Sequence, residues 1–413
     1  MKHTRSNSLF QSSGFVISLI LSGFLGLTSC TKEVQTNQAD QSKYLRVFGN
    51  EKSENATYIG ETMHGGVFIG GGTYDDSSMT GMRFDKNGHY LNSSAIRSSR
   101  SVYTMGIHLK SGGFMMSSGY SSQLARFSEE GNLLASKMFD VSLSASFVFS
   151  SLYEGDDGLL YSGYCDGPAS GAPSQSYISQ LDLDGNELQY FGFTDFAIGG
   201  KVLQVQIMGK KDNMLYIAGS FVPHPWTWSD NPKHYVLNLD MQSGQISNLK
   251  TFDLLDDSEE DLLVKSLTLT NGEMATLISP NMFLRNSVEK QRVFEVFKYD
   301  NALNTIWRKR FDIGATAVVP TDIVSTSDGG MLITGFCHTP ESVDEHAFFL
   351  KLDKSGGVSA QKIFQIAGRL RFSSCIESKD GRFLFTGTSN SFGVLKDLST
   401  PIILATDRQG NFE

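Results

Sequence analysis

The feature that most constrains this chain is a two-part segment that returns along its length. Its clearest copy is DGGMLITGF (Asp328–Phe336) followed by AFFLKLDKSGG (Ala347–Gly357). A Gly turn leads into an apolar run, a connection of variable length, a second run ending in Asp, and another Gly turn. The first half recurs as GGVFIGGG (Gly65–Gly72), SGGFMMSSG (Ser111–Gly119), DDGLLYSGYC (Asp156–Cys165), DNMLYIAGSF (Asp212–Phe221), NGEMATLIS (Asn271–Ser279) and DGRFLFTGTS (Asp380–Ser389). A second half follows each one, for example MRFDKNG (Met82–Gly88), ISQLDLDG (Ile178–Gly185), FLKLDKSG (Phe349–Gly356) and ILATDRQG (Ile403–Gly410). The result is seven pairs at a period of roughly 50 residues, which marks each copy as one supersecondary unit of a repeat fold.

Each unit has room for four strands, named A to D. MGIHL (Met105–Leu109) and VLQVQIM (Val202–Met208) precede a first Gly turn; LLASKMFD (Leu133–Asp140) and ISNLKTFD (Ile246–Asp253) follow a second one. Strand B is almost continuously apolar, as a sheet covered on both faces requires. Gly and Asn/Asp at the A–B and C–D turns supply the positive φ of tight hairpins. With 41 Gly, 29 Phe, 14 Tyr and only 19% charged residues, the chain predicts an all-β protein rich in tight turns. The architecture expected is a seven-bladed β-propeller of four-stranded antiparallel blades spanning residues 43–413. The last copy stops at Gly410–Glu413, before a strand D, while SKYLRVFGN (Ser42–Asn50) at the other end resembles the missing piece. The N-terminal strand is therefore expected to close the last blade and remove two free edges.

These repeats resemble a secreted bacterial propeller family with a DGG–strand–G, strand–KLDxxGN, W pattern, over about 370 residues of this chain. That resemblance implies the fold and says little about activity. Two departures stand out. The strand-D Trp is present at Trp307 only, with Leu91, Leu134 and Leu188 read in its place elsewhere, and Ile278 replaces the strand-B Gly of blade five.

Ahead of the repeats, Lys2 and Arg5 precede the short apolar run Phe15–Leu27, which reads as an export signal. It ends in LTSC (Leu27–Cys30), which resembles the bacterial lipobox and implies acylation (palmitate) at Cys30. Residues 1–30 are then a lipoprotein signal peptide and residues 31–42 a polar tether. The expected address is the cell envelope of a Bacteroidota-type bacterium, anchored by lipid in the outer membrane, with the side left open. A formal charge of −9 and no basic cluster argue against a nucleic-acid partner.

In this topology the A–B and C–D turns share one rim and the B–C and D–A loops share the other. Length varies almost entirely on the second rim, so that rim is the expected functional face. Its candidate binding residues are Trp226, Trp228, His224 and His234 in Phe221–His234, Arg285 in Ser279–Arg292, and His338 in Cys337–His346. A rigid, exposed Trp suits a sugar face or a protein hot spot, and equally a fold back onto a blade. Blade five separates the two His pairs, so no metal is expected, and nothing in the sequence calls for a cofactor. The acidic stretch Leu254–Asp261 and the calcium-like DLDGN (Asp182–Asn186) read as a solvated loop and a turn. Cys165 and Cys337 fall across the ring, Cys337 and Cys375 in adjacent blades, and buried unpaired thiols are expected. G-x-S-x-G, H-E-x-x-H and P-loop motifs are absent.

The function expected is a monomeric binding or interaction module, non-catalytic, for a glycan or an envelope protein. The alternative is a carbohydrate hydrolase or lyase using paired acids at the axial mouth, with Asp75, Asp76, Asp166 and Glu341 as candidates.

Overall fold

The computed structural model of the chain describes residues 45–47, 54–73, 78–97, 104–118, 123–139, 147–166, 175–194, 198, 200–223, 233–253, 261–280, 293–365, 368–390 and 399–412. Strand β1 (Leu45–Val47) opens them. Blade one is β2 (Glu54–Glu61), β3 (Val67–Thr73), β4 (Ser78–Phe84) and β5 (Tyr90–Arg97). Blade two is β6 (Thr104–His108), β7 (Phe114–Ser118), β8 (Gln123–Phe127) and β9 (Leu133–Met138). Blade three is β10 (Phe147–Glu154), β11 (Leu160–Asp166), β12 (Gln175–Leu181) and β13 (Glu187–Thr194). Blade four is β14 (Gly200–Lys211), β15 (Met214–Pro223), β16 (Lys233–Asp240) and β17 (Ile246–Asp253). Blade five is β18 (Asp261–Thr268), β19 (Met274–Pro280), β20 (Val293–Tyr299) and β21 (Thr305–Asp312). Blade six is β22 (Ala317–Ser325), β23 (Met331–Thr339), β24 (Ser342–Leu352) and β25 (Val358–Phe364). Blade seven has three strands of its own, β26 (Leu370–Glu377), β27 (Phe383–Ser389) and β28 (Thr400–Thr406).

Seven sheets of four strands result, and the seventh has the order β1-β28-β27-β26. Leu45, Arg46 and Val47 pair antiparallel with Leu404, Ile403 and Ile402, so the N-terminal strand closes the last blade. The described closing strand is shorter than the stretch read from sequence. Blades then bury their faces against one another. Phe348 and Leu350 of blade six pack with Phe294 and Val296 of blade five. On the other face of the same sheet, Ala347 and Phe349 pack with Phe372 and Phe385 of blade seven. Each such fully buried Phe, Leu or Val side chain is worth about 1.5–3 kcal/mol.

The repeat's polar residues are turn chemistry. Asp353 Oδ1 accepts the backbone N–H groups of Ser355 (2.7 Å) and Gly357 (2.9 Å), and Gly356 sits at φ 76°. Asp182 does the same with Asp184 (2.9 Å) and Asn186 (2.8 Å), and its second oxygen takes the Asn186 amide. The calcium-like spacing of Asp182–Asn186 is thus a self-satisfied turn. Strand-B glycines answer a different need. The inner strand bulges at Ala56/Tyr58, Pro320/Asp322 and Phe372/Ser374, opposite Gly71, Gly335 and Gly387. A Cβ on those glycines would lie 1.9, 2.1 and 1.9 Å from the carbonyl oxygens of Asn55, Val319 and Arg371.

Strand register corrects the reading of strand D. Trp307 pairs with Lys298, and the corresponding pairs are Arg83–Asn92, Arg126–Ala135 and Gln180–Gln189. The Trp position is therefore held by Asn92, Ala135 and Gln189. Leu91, Leu134 and Leu188 stand one residue earlier, exposed like Ile306. The bulge just after each C–D turn shifts the count by one. Trp307 packs on Gly356 of the next blade, where a Cβ would meet its ring at 2.8 Å.

Around the axis, inner strands are joined by side chains that serve the next blade's backbone. Ser151 Oγ accepts Ile207 N–H (3.1 Å), Gln206 Oε1 accepts Ser266 N–H (2.7 Å), and Asp322 Oδ2 accepts Cys375 N–H (3.0 Å). Asp322 also takes the Ser374 hydroxyl at 2.7 Å and pairs with Lys265.

Candidate functional site

Trp226, Trp228, His224 and Arg285, read from the sequence as loop-rim residues, lie outside the described residues, as do Asp75, Asp76 and Cys30. The described part of the loop-bearing rim includes the mouth of the seam between blades six and seven. The stretch Cys337–His346, read from sequence as an irregular loop, is a strand–turn–strand. β23 runs to Thr339 and β24 resumes at Ser342, with His338 paired to Glu345 and Cys337 to His346. Extended pairing carries His338 and Glu345 out to the rim on the face that looks toward blade seven.

From blade seven, Arg369 and Arg371 stand two residues apart at the start of the inner strand, so both side chains leave on one face. Arg371 binds Glu345 through two nitrogens, one of them Nη2–Oε1 at 2.5 Å, and its guanidinium lies 4.6 Å from the Phe336 ring centre. Arg369 Nε reaches the same carboxylate at 3.0 Å, and His338 Nε2 lies 3.9 Å from its other oxygen. Glu345 is nearly buried at 11% exposure, while Arg369 keeps 53% of its side chain in solvent.

The backbone under Arg369 is held on every side. Its N–H donates to Asn390 Oδ1 at 2.7 Å, and its carbonyl accepts from Asn390 N–H (3.2 Å) and Ser389 Oγ (3.0 Å). Gly368 N–H donates to Asp344 at 3.0 Å. Two guanidiniums thus meet on one nearly buried carboxylate at the rim, with Asp344 the next acid and the outer part of Arg369 left to solvent, on a fixed frame. At the positions matching Arg371 in blades one and six stand Asn55 and Val319, so the scaffold does not require the Arg371 charge.

Elsewhere the imidazoles divide. His234 lies within β16 and is 1% exposed. The Gly219 carbonyl (2.9 Å) can only accept, so Nδ1 carries the proton and Nε2 accepts from Tyr299 O–H at 2.9 Å. Burial, and secondarily Arg308, hold its pKa down at about 3 against the favourable Gly219 bond. It is a core histidine, and the site takes nothing from it. His346, 4% exposed on the blade-five face of β24, has no hydrogen-bond partner for either nitrogen among the described residues.

Cys337 and Cys375 are both buried and free, and burial pushes the Cys337 thiol up to about 12. Of the other acids, Glu341 is exposed at the β23–β24 turn and Asp166 ends β11. Among the described residues no three of His, Cys, Asp and Glu gather as metal ligands would.

Sequence reasoning missed Arg369, Arg371 and Glu345. The signal available was RLR (Arg369–Arg371), two cations on alternate residues at the start of an inner strand. What hid it was the assumption that function lies in the longest loops.

No described protein family matches the chain, and no characterised protein matches it in sequence. Solved structures do match in shape. A streptogramin B lyase is 11% identical with a TM-score of 0.51, covering 88% of this chain and 98% of that one. The virginiamycin B lyase of Staphylococcus aureus is 10% identical at TM-score 0.50, covering 87% and 99%. Hydrazine synthase of Kuenenia stuttgartiensis is 9% identical at TM-score 0.54, covering 91% and 100%. At such identities the common ground is the fold, and this chain is a seven-bladed β-propeller.

Proposed function

We propose that this chain is an envelope-anchored binding module, held by lipid at Cys30 and taking a glycan or a partner protein on its loop-bearing rim. The observation that carries the reading is the pre-organised Arg369–Arg371 pair at that rim, fixed by Glu345 and Asn390, with Arg369 exposed. Holding a polar group rigid before binding lowers the entropy lost on capture. Length variation on the same rim, against uniform tight turns on the other, supports it. Trp226, Trp228, His224, Arg285 and His338 belong to this reading as further contacts around the rim, with Trp226 and Trp228 as aromatic anchors.

The full chain in detergent, screened on a glycan array and used as bait against envelope proteins, tests the proposal. Capture that survives Cys30→Ala but is lost on changes to the loop rim supports it. Turnover of a bound carbohydrate would instead favour the hydrolase or lyase reading, and capture indifferent to that rim would refute the module.

A further inference from the structure

Resting on the loop-rim reading, we propose that Arg369 and Arg371 form a subsite for the carboxylate of an acidic sugar in a glycan. Arg371 is fixed in plane by its two bonds to Glu345 and by the Phe336 ring beneath it. Arg369 shares the Glu345 carboxylate through Nε and presents the rest of its guanidinium to solvent. A planar fork of N–H donors matches a carboxylate in two-point geometry, which a lysine cannot do.

The surroundings decide what carries that carboxylate. Asp344 and the exposed Glu341 lie on the same hairpin as Glu345, and Asn390 stands beside Arg369. Carboxylates and an amide next to an arginine pair suit a ligand whose single negative charge is set among hydroxyl donors. An acidic peptide, with several charges in a row, would meet repulsion from Asp344, Glu341 and the chain's formal charge of −9. A uronate-bearing oligosaccharide sets each carboxylate among neighbouring hydroxyl donors.

The test is titration of the full chain in detergent with a panel of uronate-bearing oligosaccharides, the same sugars with carboxyls reduced to alcohols, and a Glu-rich peptide. The wild type should bind at least one acidic sugar roughly tenfold more tightly than its reduced form, the loss of one charge-assisted hydrogen-bond pair. Arg369→Gln should abolish that preference, so that the acidic and reduced sugars bind alike. Arg371→Lys should weaken it while keeping Glu345 paired, with an unchanged melting temperature as the control for folding.

Equal affinity for acidic and reduced sugars, or an acidic preference that survives Arg369→Gln, overturns the subsite, as does stronger binding of the peptide. Rim-dependent capture of only neutral sugars or a protein overturns the subsite and leaves the binding-module reading standing.

Discussion

The Glu61 carboxylate, at the end of blade one's inner strand, accepts the backbone N–H of Lys379 in blade seven at 2.8 Å. The first and last blades are thus joined near the axis across 318 residues of chain. The outer end of the same junction is the pairing of Leu45–Val47 with Ile402–Leu404. Neither contact holds the ring alone. Deleting residues 31–41 should leave the thermal midpoint unchanged, whereas deletion through residue 50 removes β1 and bares the β28 edge. That longer deletion should cost several kcal/mol in denaturant unfolding. Equal stability of the two truncations would contradict closure by β1.

A strand-B glycine should be the most sensitive small residue of the fold. Gly335→Ala places a methyl 2.1 Å from the Val319 carbonyl and 2.7 Å from the Pro320 backbone, where little can move. A loss of about 3 kcal/mol is expected. Gly65 has a φ of 79° but open space around its Cβ position. Gly65→Ala should cost only about 1–2 kcal/mol. Urea midpoints of the two variants compare them directly, and the opposite ranking would show that the bulge relaxes.

Stability should fall with acid through His234. Its imidazole is held neutral in the fold, with a pKa of about 3 against an ordinary value of 6.5. The unfolded chain therefore takes up a proton that the folded chain refuses. The stability at stake is fully present above pH 6.5 and is lost as pH falls toward 3, by at most about 1.4 kcal/mol per pH unit. His234→Gln, which can donate to Gly219 and accept from Tyr299, should flatten that slope. A slope unchanged in the variant would mean that other groups set it.

How far the sequence could be read follows from which residues repeat. Gly turns, the Asp353-type turn and the apolar strands B and C repeat because every blade needs them, and they disclosed the blade number and the ring closure. The bulge just after the C–D turn, at Arg83/Phe84 in blade one, left no residue signature of its own, so the strand-D count slipped by one and Leu91 was taken for the Trp307 position. His338 and His346 were read as loop residues because the B–C connections vary in length, yet here Pro340 and Glu341 form a tight turn between long strands. The Arg369–Glu345 site escaped notice because its members are far apart in sequence and only one blade has them. A repeat discloses what is common to its copies, and a binding site is what one copy does differently.

Capture by variants of the two rims tests the binding-module account most directly. Trp226→Ala and Trp228→Ala on the loop-bearing rim should weaken ligand capture by about 2 kcal/mol or more, the worth of an aromatic anchor, with little change in melting temperature. Lys86→Glu and Lys354→Glu, in the C–D turns of the opposite rim, should leave capture as it is. Capture lost through the turn-rim lysines and kept by the Trp variants would contradict the account.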